Sequence, residues 1–221
     1  MQHRHLVLLN IRFWNPHEYS KCTGSIISNK WIITAAHCVN KDGIMSVFVR
    51  QFNKERNRIL THVGPYNFYI HPSFKNLNFD DASSVENDIA LLKAPKRIIF
   101  DYNVSPIELA QVSPQIGDSV IMAGHGMNEI SNKDPVLPRQ GEGILVRCPK
   151  ELDNMLCVYN HTTPWYGDSG GPLTHNGKLV GIVSGGSGPG CDDDYPKSLC
   201  LQRYSKIAYH YNWIFNVIAN N

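Results

Sequence analysis

The chain has 221 residues, 42% of them hydrophobic and 18% charged, with a formal net charge of +2. That length makes one large domain or two small ones with a real core, and the composition excludes a disordered or coiled-coil chain. No arginine-rich segment interleaves with aromatics, so nucleic-acid binding is without support, and Lys54-Glu55-Arg56-Asn57-Arg58 and Lys96-Arg97 read as solvated surface.

Short strands fill the first third of the chain. Leu6 to Ile11, Ser25 to Ile27, Trp31 to Thr34 and Ser46 to Phe52 are apolar or alternating, with polar or Gly/Pro punctuation between them. Val47, Val49 and Gln51 share one face of the last of these, with Phe48 and Arg50 on the other. His71-Pro72-Ser73-Phe74 and the stretch from Asn76 to Ser84 read as an exposed polar loop leading to Asp88. Ile89 to Leu92 is a buried strand, so Asp88 stands where a strand leaves the core, shielded from water yet needing a partner. From Tyr102 to Ser113, with Pro106 inside and Pro114 after, the pattern loosens into an extended crossover. Strands resume at Ser119 to Ala123, Ile144 to Arg147, Met155 to Val158, Gly171 to Thr174 and Lys178 to Ser184. Many short strands at this spacing predict a sandwich or barrel. Only the tail changes period: Ile207, Tyr211, Ile214 and Ile218 fall at helical spacing, predicting one amphipathic helix over Ser205 to Ala219 with Trp213 as a core anchor.

No apolar run approaches the ~20 residues needed to cross a bilayer, and Leu6-Val7-Leu8-Leu9, ended by Asn10, is too short for a signal-peptide core. Six cysteines nevertheless point to disulfides and an oxidising compartment. The expectation is a secreted, extracellular protein given without its leader. Cysteine spacing alone does not choose among the possible pairings. No CxxC pair occurs and the ten histidines include no His-Glu-x-x-His, so neither a metal site nor a cofactor is expected. Asn103-Val104-Ser105 and Asn160-His161-Thr162 match the N-glycosylation pattern. Met122 and Met127 read as packing residues.

Three stretches carry chemistry. Tyr166-Gly167-Asp168-Ser169-Gly170-Gly171-Pro172 sets a serine among glycines, which suits a hydroxyl on a tight turn with backbone N–H groups beside it. Thr34-Ala35-Ala36-His37-Cys38 supplies a histidine, and Asn87-Asp88-Ile89-Ala90-Leu91-Leu92 a carboxylate at the head of an apolar run. In chain order they run His, Asp, Ser. Taken with Cys22-Thr23-Gly24-Ser25-Ile26-Ile27, Trp31, Ala123-Gly124-His125-Gly126, Gly181-Ile182-Val183-Ser184 and Trp213-Ile214, the chain resembles the chymotrypsin/trypsin-like serine proteases from about His5 to its end.

The resemblance implies an all-β fold of two antiparallel six-stranded β-barrels with a C-terminal α-helix. Residues 1–110 would carry the histidine and aspartate, and residues 111–221 the serine, the specificity pocket and the helix. It implies disulfides Cys22–Cys38 and Cys148–Cys157, which leaves Cys191 and Cys200 as a third pair. It further implies that Ser169 is the nucleophile, His37 the base, and Asp88 the carboxylate that orients it. Gly167 and Ser169 would form the oxyanion hole through their N–H groups. By the same resemblance the primary pocket is built from Thr163 at its base with Trp165, Tyr166, Ser184, Gly185 and Gly186. Threonine stands where trypsin-like members carry an aspartate, which argues against a preference for Arg or Lys. Trp165 replaces a cysteine of the family pattern, Gly185-Gly186 replaces Trp-Gly, and Asp192-Asp193-Asp194 lies nearby as a solvated loop able to draw a basic side chain.

Asp168 is the residue that, in the family, pairs with a freshly cut N-terminus. The chain begins Met1-Gln2-His3-Arg4-His5 and has no Ile-Val start. The expectation is a fragment lacking its N-terminal stretch or a zymogen-like form with a poorly formed oxyanion hole, in which the Asp168 loop rearranges, finds another donor or stays disordered. The function implied is a monomeric serine endopeptidase acting on protein or peptide substrates and open to protein protease inhibitors, with no nucleic-acid or membrane partner. The alternative is a protease-like binding or regulatory protein with little turnover, favoured by the altered groove at Trp165 and Gly185. Labelling by a fluorophosphonate, which needs an activated serine, separates the two.

Overall fold

The computed structural model describes residues 3–52, 57–76, 85–127, 137–148, 152–160, 163–187 and 201–221. Asp192 to Asp194, Cys191, Cys200 and two residues of the second glycosylation motif, His161 and Thr162, therefore lie outside the described residues.

The first sheet contains seven strands: β1 (Leu6–Phe13), β2 (Tyr19–Ile26), β3 (Trp31–Thr34), β4 (Ile44–Phe52), β5 (Asn57–Val63), β6 (Phe68–Ile70) and β9 (Ala90–Lys93). Their order across the sheet is β5-β4-β1-β2-β3-β9-β6, and a separate two-stranded ribbon pairs β7 (Lys75–Asn76) with β8 (Val85–Glu86). The alternation read from the sequence holds, since Val47, Val49 and Gln51 all face the interior. Val7, Leu9, Ile11, Ile26, Ile32, Val47, Val49 and Leu92 fill the concave side, each such side chain contributing about 1.5–3 kcal/mol relative to exposure.

This sheet corrects one expectation. It curls but does not close into a barrel, because β5 and β6 are its two edges and do not pair with each other. β6 has three residues and, among the described residues, pairs only with β9. The link from β5 runs through a 3₁₀ turn at Pro65–Asn67, where proline removes a backbone donor that a continuing ladder would need.

The second sheet does close. It comprises β10 (Glu108–Leu109), β11 (Ser119–Gly124), β12 (Arg139–Val146), β13 (Met155–Asn160), β14 (Pro172–His175), β15 (Lys178–Ser187) and β16 (Leu201–Lys206). Pairing of β15 with β16 joins the ends of the run β15-β14-β11-β12-β13-β16, and β10 adds to β15 in parallel. Tyr204, Val158, Leu173, Leu145 and Val120 pack its interior.

Helix α1 (Ala36–Val39) is a single turn, and α2 (Ile207–Asn220) is the expected C-terminal helix, starting two residues later than the periodicity predicts because Ser205 and Lys206 complete β16. Ile207 and Ile214 of α2 join Trp31, Ile33 and Leu91 of the first sheet, Ile89 just before β9, and Leu179 and Ile182 of the second sheet in one apolar cluster, and Trp213 packs against it. That cluster locks the sheets together beneath the residues described next. No helix among the described residues is long and apolar enough to cross a membrane.

Candidate active site

His37 sits in α1, directly after β3. The helix is too short to hold itself, and Ala35 offers no side-chain cap. A disulfide from Cys38 to Cys22 on β2 ties it down. The His37 backbone N–H donates to Asp88 Oδ1 at 2.9 Å and its Nδ1 lies 2.7 Å from Asp88 Oδ2. Asp88 is fully buried while His37 keeps 17% side-chain exposure, so one edge of the ring reaches solvent.

Asp88 is held from both sheets. Ser184 Oγ on β15 donates to its Oδ2 at 2.7 Å, and Ser205 Oγ on β16 donates to its carbonyl at 2.8 Å. The residue before it, Asn87, takes a left-handed φ of 51°, which asparagine tolerates. Its amide donates to Ser73 O, and its Oδ1 lies 3.2 Å from Nε2 of buried His210. Burial, the largest influence on Asp88, pushes its carboxyl up. The charge of His37, the hydrogen bonds from its ring and from Ser184, and the His37 N–H outweigh burial and hold the carboxyl below its ordinary value.

The serine turn docks on β2. Thr23 N donates to Ser169 O at 2.8 Å and Thr23 Oγ1 to Gly167 O at 2.7 Å, while Cys38 Sγ lies 3.7 Å from Ser169 O. Ser169 is thus seated beside the residue that follows His37. The hydrogen bonds of the described residues do not include one from Ser169 Oγ to His37. Gly170 adopts φ +77°, and a Cβ there would meet Thr34 Oγ1 at 2.1 Å and Thr23 O at 2.5 Å, so the docking admits only glycine.

Within the turn the N–H groups divide into two sets. Asp168 N donates to Trp165 O, Gly170 N to Val183 O and Gly171 N to Asp168 O. The N–H groups of Tyr166, Gly167 and Ser169 donate to nothing among the described residues. Gly167, at φ +96°, shapes the chain between them. The Asp168 carboxylate turns inward, taking the N–H of Gly126 at 2.6 Å and of Trp165 at 2.9 Å. A Cβ on Gly126 would lie 2.3 Å from that carboxyl group, so the glycine makes room for it. Two backbone N–H groups therefore serve Asp168.

The remaining expected residues lie nearby. Thr163 lines a cavity of about 80 Å³ with Pro164, Asp168, Val183 and Gly124. Trp165 and Tyr166 meet edge to face at 5.2 Å, with Tyr166 largely exposed. Gly185 and Gly186 pair with Arg203 and Gln202 across β15 and β16. Cys148 and Cys157 form the second disulfide. A larger groove, about 440 Å³, is lined in part by Cys148 and Cys157 and by none of the expected triad or pocket residues. Cys22, His37 and Cys38 approach one another closely enough to bracket an ion, but both sulfurs are committed to the disulfide and are not thiolate ligands.

Sequence reasoning did not assign Thr23, Ser205 or Asn87 to the site. Asn87 and Thr23 stand inside motifs that were read for their neighbours, whereas nothing local marks Ser205.

Two packed β-sheets with a C-terminal helix, and a buried carboxylate bonded to a histidine beside a glycine-turned serine, define a serine protease of chymotrypsin-like architecture. The chain belongs to the trypsin family, whose model matches residues 2–214. It is 32% identical to a trypsin of Simulium vittatum over 76% of this chain and 71% of that one. It is 31% identical to a vitellin-degrading protease of Bombyx mori over 96% and 80%. Among solved structures, neuropsin, a serine protease of mouse brain, shares the fold with a TM-score of 0.76 at 24% identity, covering 98% and 95% of the two chains. The protein is accordingly a hydrolase of the serine-protease class, a family whose members are commonly secreted and act on proteins.

Proposed function

We propose that this protein is a serine endopeptidase in which Ser169 attacks the scissile carbonyl, His37 takes and returns the proton, and Asp88 fixes the imidazole. The observation that carries the reading is the pair of unspent N–H groups on Gly167 and Ser169. They lie on the proposed nucleophile and two residues before it, as donors awaiting a developing oxyanion would, while the N–H groups of Asp168, Gly170 and Gly171 are spent inside the fold. With Nδ1 facing Asp88 Oδ2 at 2.7 Å, the neutral ring presents Nε2 as the base and the imidazolium formed on proton transfer meets a carboxylate. A nucleophile–base hydrogen bond that forms only with substrate bound is compatible with this arrangement. Asp168 is the internal carboxylate that shapes the turn. Division of labour near residue 110 puts base and carboxylate on the first sheet and nucleophile on the second.

The substrate preference proposed is for uncharged residues, from Thr163 at the pocket base with Trp165, Tyr166, Gly185 and Gly186 around it. Secretion is supported by two disulfides, which persist in oxidising compartments, and protein protease inhibitors fit the same groove as substrates. The test is fluorophosphonate labelling. The intact chain labels, whereas Ser169→Ala does not and loses roughly 10⁶ in kcat. An unlabelled chain rejects the assignment in favour of a binding role, and a labelled Ser169→Ala rejects Ser169 as the nucleophile.

A further inference from the structure

Arg139 opens β12 as an exposed residue, and its Nη2 donates to Gly126 O at 3.2 Å and also to Met127 O. The Gly126 carbonyl belongs to the same peptide group as the Met127 N–H. That N–H donates to Tyr166 O at 2.8 Å. The Tyr166 carbonyl, in turn, shares its peptide group with the Gly167 N–H, the first of the two donors read as the oxyanion site. All these peptides are trans, so in each the carbonyl and N–H point in opposite directions. The result is one directional chain: guanidinium to Gly126 C=O, Met127 N–H to Tyr166 C=O, and Gly167 N–H outward.

We propose that Arg139 polarises and holds the Gly167 N–H through these two peptide groups in series, acting as a positioning residue for the oxyanion site. The proposal rests on the reading of Gly167 and Ser169 as oxyanion donors. A cation at the carbonyl end of a hydrogen-bonded peptide strengthens the N–H at its other end, and the effect passes along the chain. Arg139 also fixes the turn geometrically, because the Gly126 it grips gives its own N–H to Asp168 Oδ1. Both actions bear on an anion that appears only during reaction. Removing Arg139 should therefore slow acylation and leave ground-state substrate binding alone.

The experiment compares Arg139→Met, →Gln and →Lys with the intact chain by fluorophosphonate labelling rate, by kcat and KM on one peptide substrate, and by thermal melting. Losing a whole oxyanion donor costs about 10²–10³, so weakening one from an exposed position is expected to cost about tenfold in kcat and labelling for Arg139→Met. KM should stay within about twofold, with Gln and Lys ranking between Met and the intact chain. Wild-type labelling rates in Arg139→Met, with Ser169→Ala unlabelled, overturn this proposal alone. A KM effect with kcat unchanged also overturns it. Labelling that survives Ser169→Ala overturns the underlying site reading and this proposal with it. If Arg139→Met does not fold, Arg139→Lys decides: labelling at the wild-type rate overturns the proposal and a reduced rate supports it.

Discussion

Ser184 Oγ donates to Asp88 Oδ2, the same oxygen that faces His37 Nδ1, with both contacts at 2.7 Å. One carboxylate oxygen thus joins a strand of the second sheet to the histidine helix of the first. Removing Ser184 takes away one of the interactions that depress the Asp88 carboxyl, so its folded value moves back up. A depressed carboxyl stabilises the fold above its unfolded value, and that stability is lost as pH falls through the folded value. Ser184→Ala is expected to cost about 1.5–3 kcal/mol at neutral pH, the scale of a hydrogen bond to a charged group. The deficit should shrink below the ordinary carboxylate range. Urea unfolding at neutral and acid pH measures it, and an equal deficit at both would show that the carboxylate is not the partner that matters. Fluorophosphonate labelling should survive the change.

Asp88→Asn reverses the hydrogen-bond polarity toward His37 without changing side-chain size. An amide nitrogen facing Nδ1 forces the proton onto Nε2, which then cannot act as base. The expected loss is about 10⁴ in kcat at neutral pH, the scale found when a triad aspartate becomes asparagine. Steady-state kinetics with active-site titration checks it, and a loss under tenfold would show that the carboxylate does not set the tautomer.

Three buried histidines give the fold a predictable acid response. Desolvation holds His5, His125 and His210 at about 4, with the neighbouring His3 adding to the effect at His5. Between that value and the ordinary 6.5 the unfolded chain binds more protons than the folded one, so stability falls as pH falls across this window. Each group contributes up to about 1.4 kcal/mol per pH unit there. Burial lowers His71 as well, so His5→Asn is expected to flatten the slope of unfolding free energy against pH by about one quarter to one third. Denaturant melts at half-unit pH steps decide this, and an unchanged slope would mean that His5 does not titrate differently in the two states.

Gly170→Ala places a methyl group where the contact to Thr34 Oγ1 is 2.1 Å and that to Ala35 N is 2.8 Å, at a φ of +77°. Backbone lies on two sides, so the turn must move off Thr23. The expected cost is about 2–4 kcal/mol, with labelling of Ser169 largely lost because its docking on β2 goes with the turn. Near-native melting with full labelling would contradict the docking contacts as the anchor of the serine.

How legible all this was in the sequence depended on what each strand buries. β1, β3, β4, β9 and β11 bury aliphatic side chains and were readable from pattern. β12 begins five residues before its expected start at Ile144, because its inward positions there are Gly141 and Gly143, which leave no apolar alternation to see. β16 went unread because Gln202, Arg203 and Ser205 are buried polar residues. Their burial is tolerable only through partners such as Asp88 O for Ser205, which a sequence window cannot contain. Closure of a sheet is likewise a property of its two edges, and nothing local distinguishes the closing β15–β16 pair from the open β5 and β6. At the site, His37, Asp88, Ser169, Gly167 and Asp168 carry local motifs. Arg139, Thr23 and Ser205 act through contacts from 12 to 144 residues away in the chain.

The last prediction concerns selectivity. Thr163 lines the small cavity that also holds Asp168, Val183 and Gly124. Asp168, the carboxylate bordering that cavity, receives the N–H groups of Gly126 and Trp165, so it is already engaged within the fold. An arginine or lysine head entering beside Thr163 would lose hydration and gain only a hydroxyl in return, a poor exchange for a buried charge. Cleavage is therefore expected after uncharged residues. Thr163→Asp should add cleavage after Arg and Lys by at least about tenfold, because a buried charge pair replaces an unpaired charge. The gain is tempered by Asp168, whose nearby charge raises the cost of ionising the new carboxyl group. A peptide library read by mass spectrometry before and after the substitution tests both halves. Dominant cleavage after Arg or Lys in the unsubstituted chain would overturn the expectation and direct attention to Asp192-Asp193-Asp194 as the source of charge. No gain in Thr163→Asp would show that the side chain at 163 does not reach the bound residue.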